Sequence, residues 1–189
     1  MIVHIGDLVD NHNTSFHDSD PDGYSVSREM ELADQKIDEW IKAFPKMKIV
    51  EGNHCAMIAR KAFKFQLPAR VIKPFREIWD LPSGWEYRYD YFIDKVRYFH
   101  GMGYSGKYAH VKAVTDNRCS CVIGHLHSNA GVEWTASEHD ILFGMAVGCG
   151  IDRDSYAFKY GRDFVRKPIL GCGVVLERGT RAQFVPMKL

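Results

Sequence analysis

Four short segments of this chain place residues of metal-ligand type directly after an apolar run. They are Gly6-Asp7-Leu8-Val9-Asp10, Gly52-Asn53-His54, Phe99-His100-Gly101 and Gly124-His125-Leu126-His127. Together they offer carboxylate, amide-oxygen and imidazole donors, a mixture that suits manganese, iron or zinc better than calcium or magnesium. Each segment alone is a weak signal, because a single histidine beside a strand is usually a surface or hydrogen-bonded residue. Their joint occurrence in similar settings is what points to chemistry. A cation close to a phosphate ester neutralises charge that would repel a nucleophile, and it makes a bound water acidic enough to ionise near neutral pH. An imidazole in the same place can protonate the departing oxygen.

The elements that must position these residues follow from the hydrophobic periodicity. Residues 2–5 read as a strand ending at Gly6, and Met47 to Val50 as a second strand broken by Gly52. Residues after strand ends converge at one edge of a sheet, where open α/β structures usually bind ligands, and glycine permits the sharp turn there. Between these strands Met30, Ala33, Ile37, Trp40, Ile41 and Phe44 recur at helical spacing, so residues 28–44 form a helix that Pro45 ends. Residues 11–27 are rich in Asn, Ser, Asp and His and read as a long loop. Cys55 to Phe65, Pro74 to Trp79 and Ser105 to Asn117 read as helices. The alternating aromatic stretch from Trp85 to Phe99 reads as a hairpin, and Cys119 to Ile123 as a strand. Val132 to Leu189 alternates strand-like runs with turns around an insert near Tyr156 to Arg166. The expectation is one α/β domain over residues 1–189, with packed sheets and helices outside them.

In this order the segments resemble the signature of the calcineurin-like metallophosphoesterases: Asp-x-His, Gly-Asp-x-x-Asp, Gly-Asn-His, a lone His, and Gly-His-x-His. The last four blocks are present between Gly6 and His127, about the first two-thirds of the chain. The resemblance implies a β-sandwich flanked by helices, here missing the first strand-helix unit. It implies that Asp7 bridges two metal ions, that Asn53, His100 and His125 complete one metal site, and that His127 reaches the other. His54 would be the general acid and Asp10 the carboxylate that orients it. The implied cofactor is a divalent metal ion, manganese first, with iron, zinc or nickel as alternatives. The family site holds two ions and this chain is expected to hold one firmly. The implied substrate is a phosphomonoester or phosphodiester, and nucleic acid is an alternative within the same family. Asn11 in place of Arg and Cys55 in place of Glu depart from the protein phosphatase branch, and the Gly-His-x-His ending resembles the nuclease and phosphodiesterase branches more. The loops rich in Ser, Asp and Tyr resemble phage and prophage members.

One block of the signature is absent. Only five residues precede Gly6, and none forms an Asp-x-His. The second metal position is then left with Asp7 and His127, too few for tight binding. Three readings stay open: a start at an internal Met, a natural single-metal protein, or substitute ligands from His12, His17, Asp18, Asp20 and Asp22. Loss of metal binding strong enough for turnover would leave a metal- or partner-binding protein. An unfilled sheet edge also invites pairing between copies of the chain, so a homo-oligomer is an expectation.

Composition narrows the remaining classes. Of 189 residues 46% are hydrophobic, enough for a packed core. The formal net charge of +1 argues against an overall basic nucleic-acid surface while leaving room for a local patch. Five cysteines, an odd number, do not suggest a disulfide framework. Cys119 and Cys121 lack zinc-ribbon spacing and suit burial in a sheet, and Cys55 suits a small buried position at a helix start. No secretory leader and no bilayer-length apolar run is visible, so a cytoplasmic protein without a membrane partner is expected. Arg60, Lys61, Lys64 and Arg70 read as a solvated helix face or a phosphate contact. Tyr104 and Lys107 read as lining for a substrate pocket, and Asp152 and Arg153 as a local pair or an approach to the site.

Overall fold

Three short runs carrying β-branched or aromatic residues set up the first sheet. Val3–His4 (β1) pairs parallel with Met47–Val50 (β2), Val3 opposite Lys48 and His4 opposite Ile49. Trp85–Arg88 (β3) pairs parallel with β2 on its other side, Met47 opposite Trp85. The computed structural model describes residues 1–16, 23–151 and 165–187, and these divide into two units, Met1–Arg88 and Tyr89–Leu189. The insert residues 156–164, together with Asp152 and Arg153, lie outside the described residues.

Val26–Ala43 (α1) joins β1 to β2. Its start is fixed by Ser25, whose hydroxyl oxygen accepts the Arg28 N–H at 3.2 Å and so satisfies one of the free donors of the first turn. Ile37 is buried at the centre of the apolar stripe, and Met30, Ala33 and Ile41 pack around it against Ile49, Trp79 and Trp85. This is the face that helical spacing predicts. Trp40 stays partly exposed, edge-on to His4 with ring centroids 5.4 Å apart. Met57–Lys64 (α2) and Phe75–Ile78 (α3) follow β2.

The expected hairpin from Trp85 to Phe99 is corrected in one respect. Only Asp90–Ile93 (β4) and Val96–Phe99 (β5) form an antiparallel hairpin; Trp85–Arg88 belongs to the first sheet. Burial explains the difference: Trp85 is fully buried against α1, and its indole N–H donates to the Phe44 carbonyl at 2.7 Å, the exposed end of the helix ladder. In the second unit β5 pairs parallel with Ser120–Ile123 (β6). β6 pairs parallel with Ile141–Val147 (β8), and β8 pairs antiparallel with Ala130–Ala136 (β7), giving the order β4-β5-β6-β8-β7. Ala109–Asn117 (α4) covers this sheet, with Ala109, Ala113 and Val114 buried beside Cys121, Ile123 and Ala146. The helix approaches so closely that a Cβ on Gly144 would lie 2.3 Å from the His110 carbonyl oxygen, so no side chain fits there. Gly171–Leu176 (β9) and Arg181–Pro186 (β10) form a separate two-stranded ribbon. The described residues thus form a mixed α/β structure with three open sheets and four α-helices.

All five cysteines are free thiols. No helix among the described residues is long and apolar enough to cross a membrane. Replacing Trp85 by Ala removes the largest fully buried side chain and the Phe44 hydrogen bond. Urea unfolding is expected to show a loss of about 3–5 kcal/mol, and a loss below about 1 kcal/mol would contradict this account of the first core.

Candidate metal and acid–base centre

Parallel pairing brings the carboxyl ends of neighbouring strands to the same sheet edge, and each unit has such an edge. In the first unit the loop after β1 and the turn after β2 are joined by side chains. Asp7 takes a left-handed backbone conformation with φ 52°. Such a conformation costs an ordinary residue about 1–2 kcal/mol and is best tolerated by Asp and Asn outside glycine. Its carboxylate oxygen Oδ1 accepts the His54 backbone N–H at 2.8 Å. A Cβ on Gly52 would stand 2.0 Å from that same oxygen, so the Gly-Asn-His turn requires glycine because the carboxylate fills its space.

His54 is held at three points. Besides the Asp7 contact, its carbonyl accepts Asn11 Nδ2 at 2.9 Å, and its ring Nδ1 lies 2.5 Å from the Asp10 carbonyl oxygen and 3.0 Å from Asp10 Oδ1. With Nδ1–H donated to Asp10, Nε2 is the nitrogen left to exchange a proton. Burial pushes the imidazole pKa down. That effect is outweighed by the hydrogen bond to the Asp10 carboxylate, the charge of Asp7 and the Asp10 carbonyl, which together raise it from 6.5 to about 9. Asn53, between Gly52 and His54, is half-buried in the same turn.

Several supporting residues were not legible in the sequence. Asn11 is 5% exposed and also left-handed, φ 49°, with its amide given to His54. The carboxylate of Glu29, in the first turn of α1, accepts the backbone N–H groups of His12 at 2.5 Å and Asn13 at 3.0 Å and so ties down the loop after Asp10. Tyr87 donates to Glu51 Oε2 at 3.0 Å, next to Gly52. Burial pushes the Tyr87 hydroxyl pKa up, reinforced by Cys55, Glu51 and Asp7. Cys55 is buried as expected, and burial pushes its thiol up to about 11, far from a reactive thiolate. Of the substitute-ligand candidates, His12 is described, whereas His17, Asp18, Asp20 and Asp22 lie outside the described residues.

In the second unit β5 and β6 run parallel, Phe99 opposite Ile123, and the ladder continues through Gly124 N–H to the His100 carbonyl at 3.1 Å. His100, 3% exposed, and His125 therefore emerge from adjacent strand ends, with His100 Nε2 3.2 Å from His125 Nδ1. Two ring nitrogens at this distance either share a proton or direct lone pairs at a common cation. His125 is left-handed, φ 64°, so the chain bends at Gly-His-x-His. The His127 carbonyl accepts the Ile169 N–H at 2.8 Å. Asn129, also missed, anchors this turn by donating to the Gly106 carbonyl at 2.7 Å. Tyr104 packs edge-on against Phe99 and its hydroxyl accepts Asn117 Nδ2, so it serves the core rather than an open pocket.

No protein-family model matches the chain, and no curated protein matches it significantly.

Because the raised pKa of His54 depends on Asp10, Asp10→Asn is expected to lower it towards 6.5. The sign follows from linkage: a folded-state pKa above 6.5 gives stabilisation that is complete below pH 6.5 and lost as pH rises through about 9. Histidine NMR titration of wild type and Asp10→Asn checks this in metal-free protein. An unchanged His54 pKa in the variant would contradict the assignment.

Proposed function

We propose that this chain is a metal-dependent phosphoesterase that hydrolyses a phosphomonoester or phosphodiester, with the β-sandwich architecture of the calcineurin-like enzymes. The observation that carries the reading is the His54–Asp10 pair, hydrogen-bonded at Nδ1 and built onto the same turn that receives the Asp7 carboxylate. An imidazole oriented by one carboxylate and adjoining a second is suited to giving a proton to an alkoxide beside a cation.

In this reading Asp7, Asn53, His100 and His125 are ligands of one divalent ion. One carboxylate and two imidazoles are donors that could hold a metal ion. They fit manganese, iron, zinc or nickel. The convergence of His100 Nε2 and His125 Nδ1 supports two imidazole ligands already brought together. His127 is assigned to a second, weaker position shared with Asp7. A bound divalent ion would neutralise charge on the phosphoryl oxygens and supply an ionised water near neutral pH.

The protein's own groups do the rest. His54 delivers the Nε2 proton to the leaving oxygen. Asp10 keeps Nδ1 protonated and fixes the ring plane. The His54 backbone N–H holds Asp7 Oδ1, so the same residue that donates the proton also orients a metal ligand. Asn11 fixes the peptide of His54 from its carbonyl side.

The test is hydrolysis of a chromogenic phosphodiester and phosphomonoester with added manganese. Wild type is expected to turn over at least one of them. His54→Ala is expected to lose about 10²–10⁴-fold in kcat, the usual worth of a general acid, and Asp7→Ala to lose activity altogether. Chelation should abolish turnover and manganese restore it. Equal rates in all three proteins would sink the reading.

A further inference from the structure

Immediately after His54 the first unit carries a surface that the acid–base chemistry does not use. Phe16 lies 45% exposed, and three cations gather at its ring: Lys64 Nζ at 5.0 Å, the Arg60 guanidinium at 5.5 Å and Lys61 Nζ at 5.8 Å from the centroid. Arg60 and Lys64 come from successive turns of α2, and Phe63, between them, is 84% exposed. Among the described residues none of the three cations forms an ion pair. Phe16, Ala56, Ala59, Arg60 and Phe63, with Glu51 at one side, line a concavity of about 470 Å³. That volume is in the range of sites for small organic groups. Glu51, the acidic member of the lining, receives the Tyr87 hydroxyl.

The sequence could not separate a phosphate contact from a solvated helix face here. A solvated face does not expose two phenylalanines with three cations drawn to one of them. Aromatic rings accept stacked bases and interleaved cations accept the phosphates between bases, the combination that binds single strands without sequence preference. A lipid surface is matched less well. It calls for an apolar ridge with charges at its rim, whereas here the cations crowd the aromatic ring itself and both rings line a concavity.

We infer that the Phe16–α2 face is a binding surface for a single strand of nucleic acid, with bases stacked on Phe16 and Phe63 and adjacent phosphates on Arg60 and Lys64. This rests on the phosphoesterase reading only for its consequence, which is that the substrate class would be a single-stranded polynucleotide led towards His54 by a helix that begins three residues after it.

Binding is measured without turnover, so that failure of either idea is seen separately. A fluorescent single-stranded DNA of about 12 nucleotides, within the usual site sizes, is titrated with the full chain in chelator, with no divalent ion present. Wild type is expected to bind it more tightly than a duplex of equal length. Phe63→Ala, a change at an exposed position, is expected to weaken binding about 5- to 100-fold. The Arg60→Ala/Lys64→Ala double variant is expected to weaken it and to flatten the slope of log K against log salt by about 1.4, since each phosphate that a cation neutralises adds about 0.7 on a single strand. Phe92→Ala, an exposed aromatic of the second unit, is expected to bind as wild type does. Absence of binding by wild type, affinity unchanged in Phe63→Ala, or equal binding of duplex would each overturn the proposal. So would binding of anionic phospholipid vesicles, abolished in the same variants, without binding of the oligonucleotide.

Discussion

The carboxylate of Asp7 occupies the space where any side chain at residue 52 would stand, and the architecture of the first unit is arranged around that contact. The contact needs β1 and β2 parallel and adjacent, so that their following loops meet at one edge. It needs glycine after β2 and a left-handed aspartate after β1. The bond from the His54 N–H to a charged acceptor is worth about 1.5–3 kcal/mol, enough to offset the backbone cost of the left-handed aspartate. Once the two loops are locked, Asp10 and Asn11 fall within reach of His54, and the imidazole acquires both its orientation and its high proton affinity. A single steric and electrostatic arrangement therefore sets the Asp7 carboxylate and the His54–Asp10 pair together.

The second unit repeats the device with different residues. Parallel β5 and β6 deliver His100 and His125 from neighbouring ends, and the bend at His125, stabilised through Asn129, turns its ring towards His100. Asp7, Asn11 and His125 all take left-handed backbone, which turns the chain sharply after β1 and after β6.

How far the sequence reveals all this depends on the range of the interaction. α1, β2, α2 and β6 were legible because apolar spacing and helix breakers act within a few residues. The fate of Trp85–Arg88 was not, because the alternation runs on smoothly into β4 while the true partner strand ends thirty-five residues earlier, at Val50. The ligand-type residues stood out by composition and order. Their supports did not: nothing local tells that Asn11 serves a carbonyl of residue 54, that Glu29 clamps the chain at His12, or that Tyr87 reaches Glu51. Those partners are chosen by the path of loops, which one-dimensional pattern does not encode. The cationic aromatic face was visible as residues but not as a cluster, since Phe16 and α2 are forty residues apart.

The proposed function assigns Asp7, His100 and His125 to one metal ion. The most direct measurement is the stoichiometry and affinity of manganese binding by calorimetry on metal-free protein, in wild type and in His125→Ala, with folding of the variant checked by circular dichroism. One tight ion per chain is expected in wild type, and its loss in the folded variant. No tight binding by wild type, or equal binding by the variant, would contradict it.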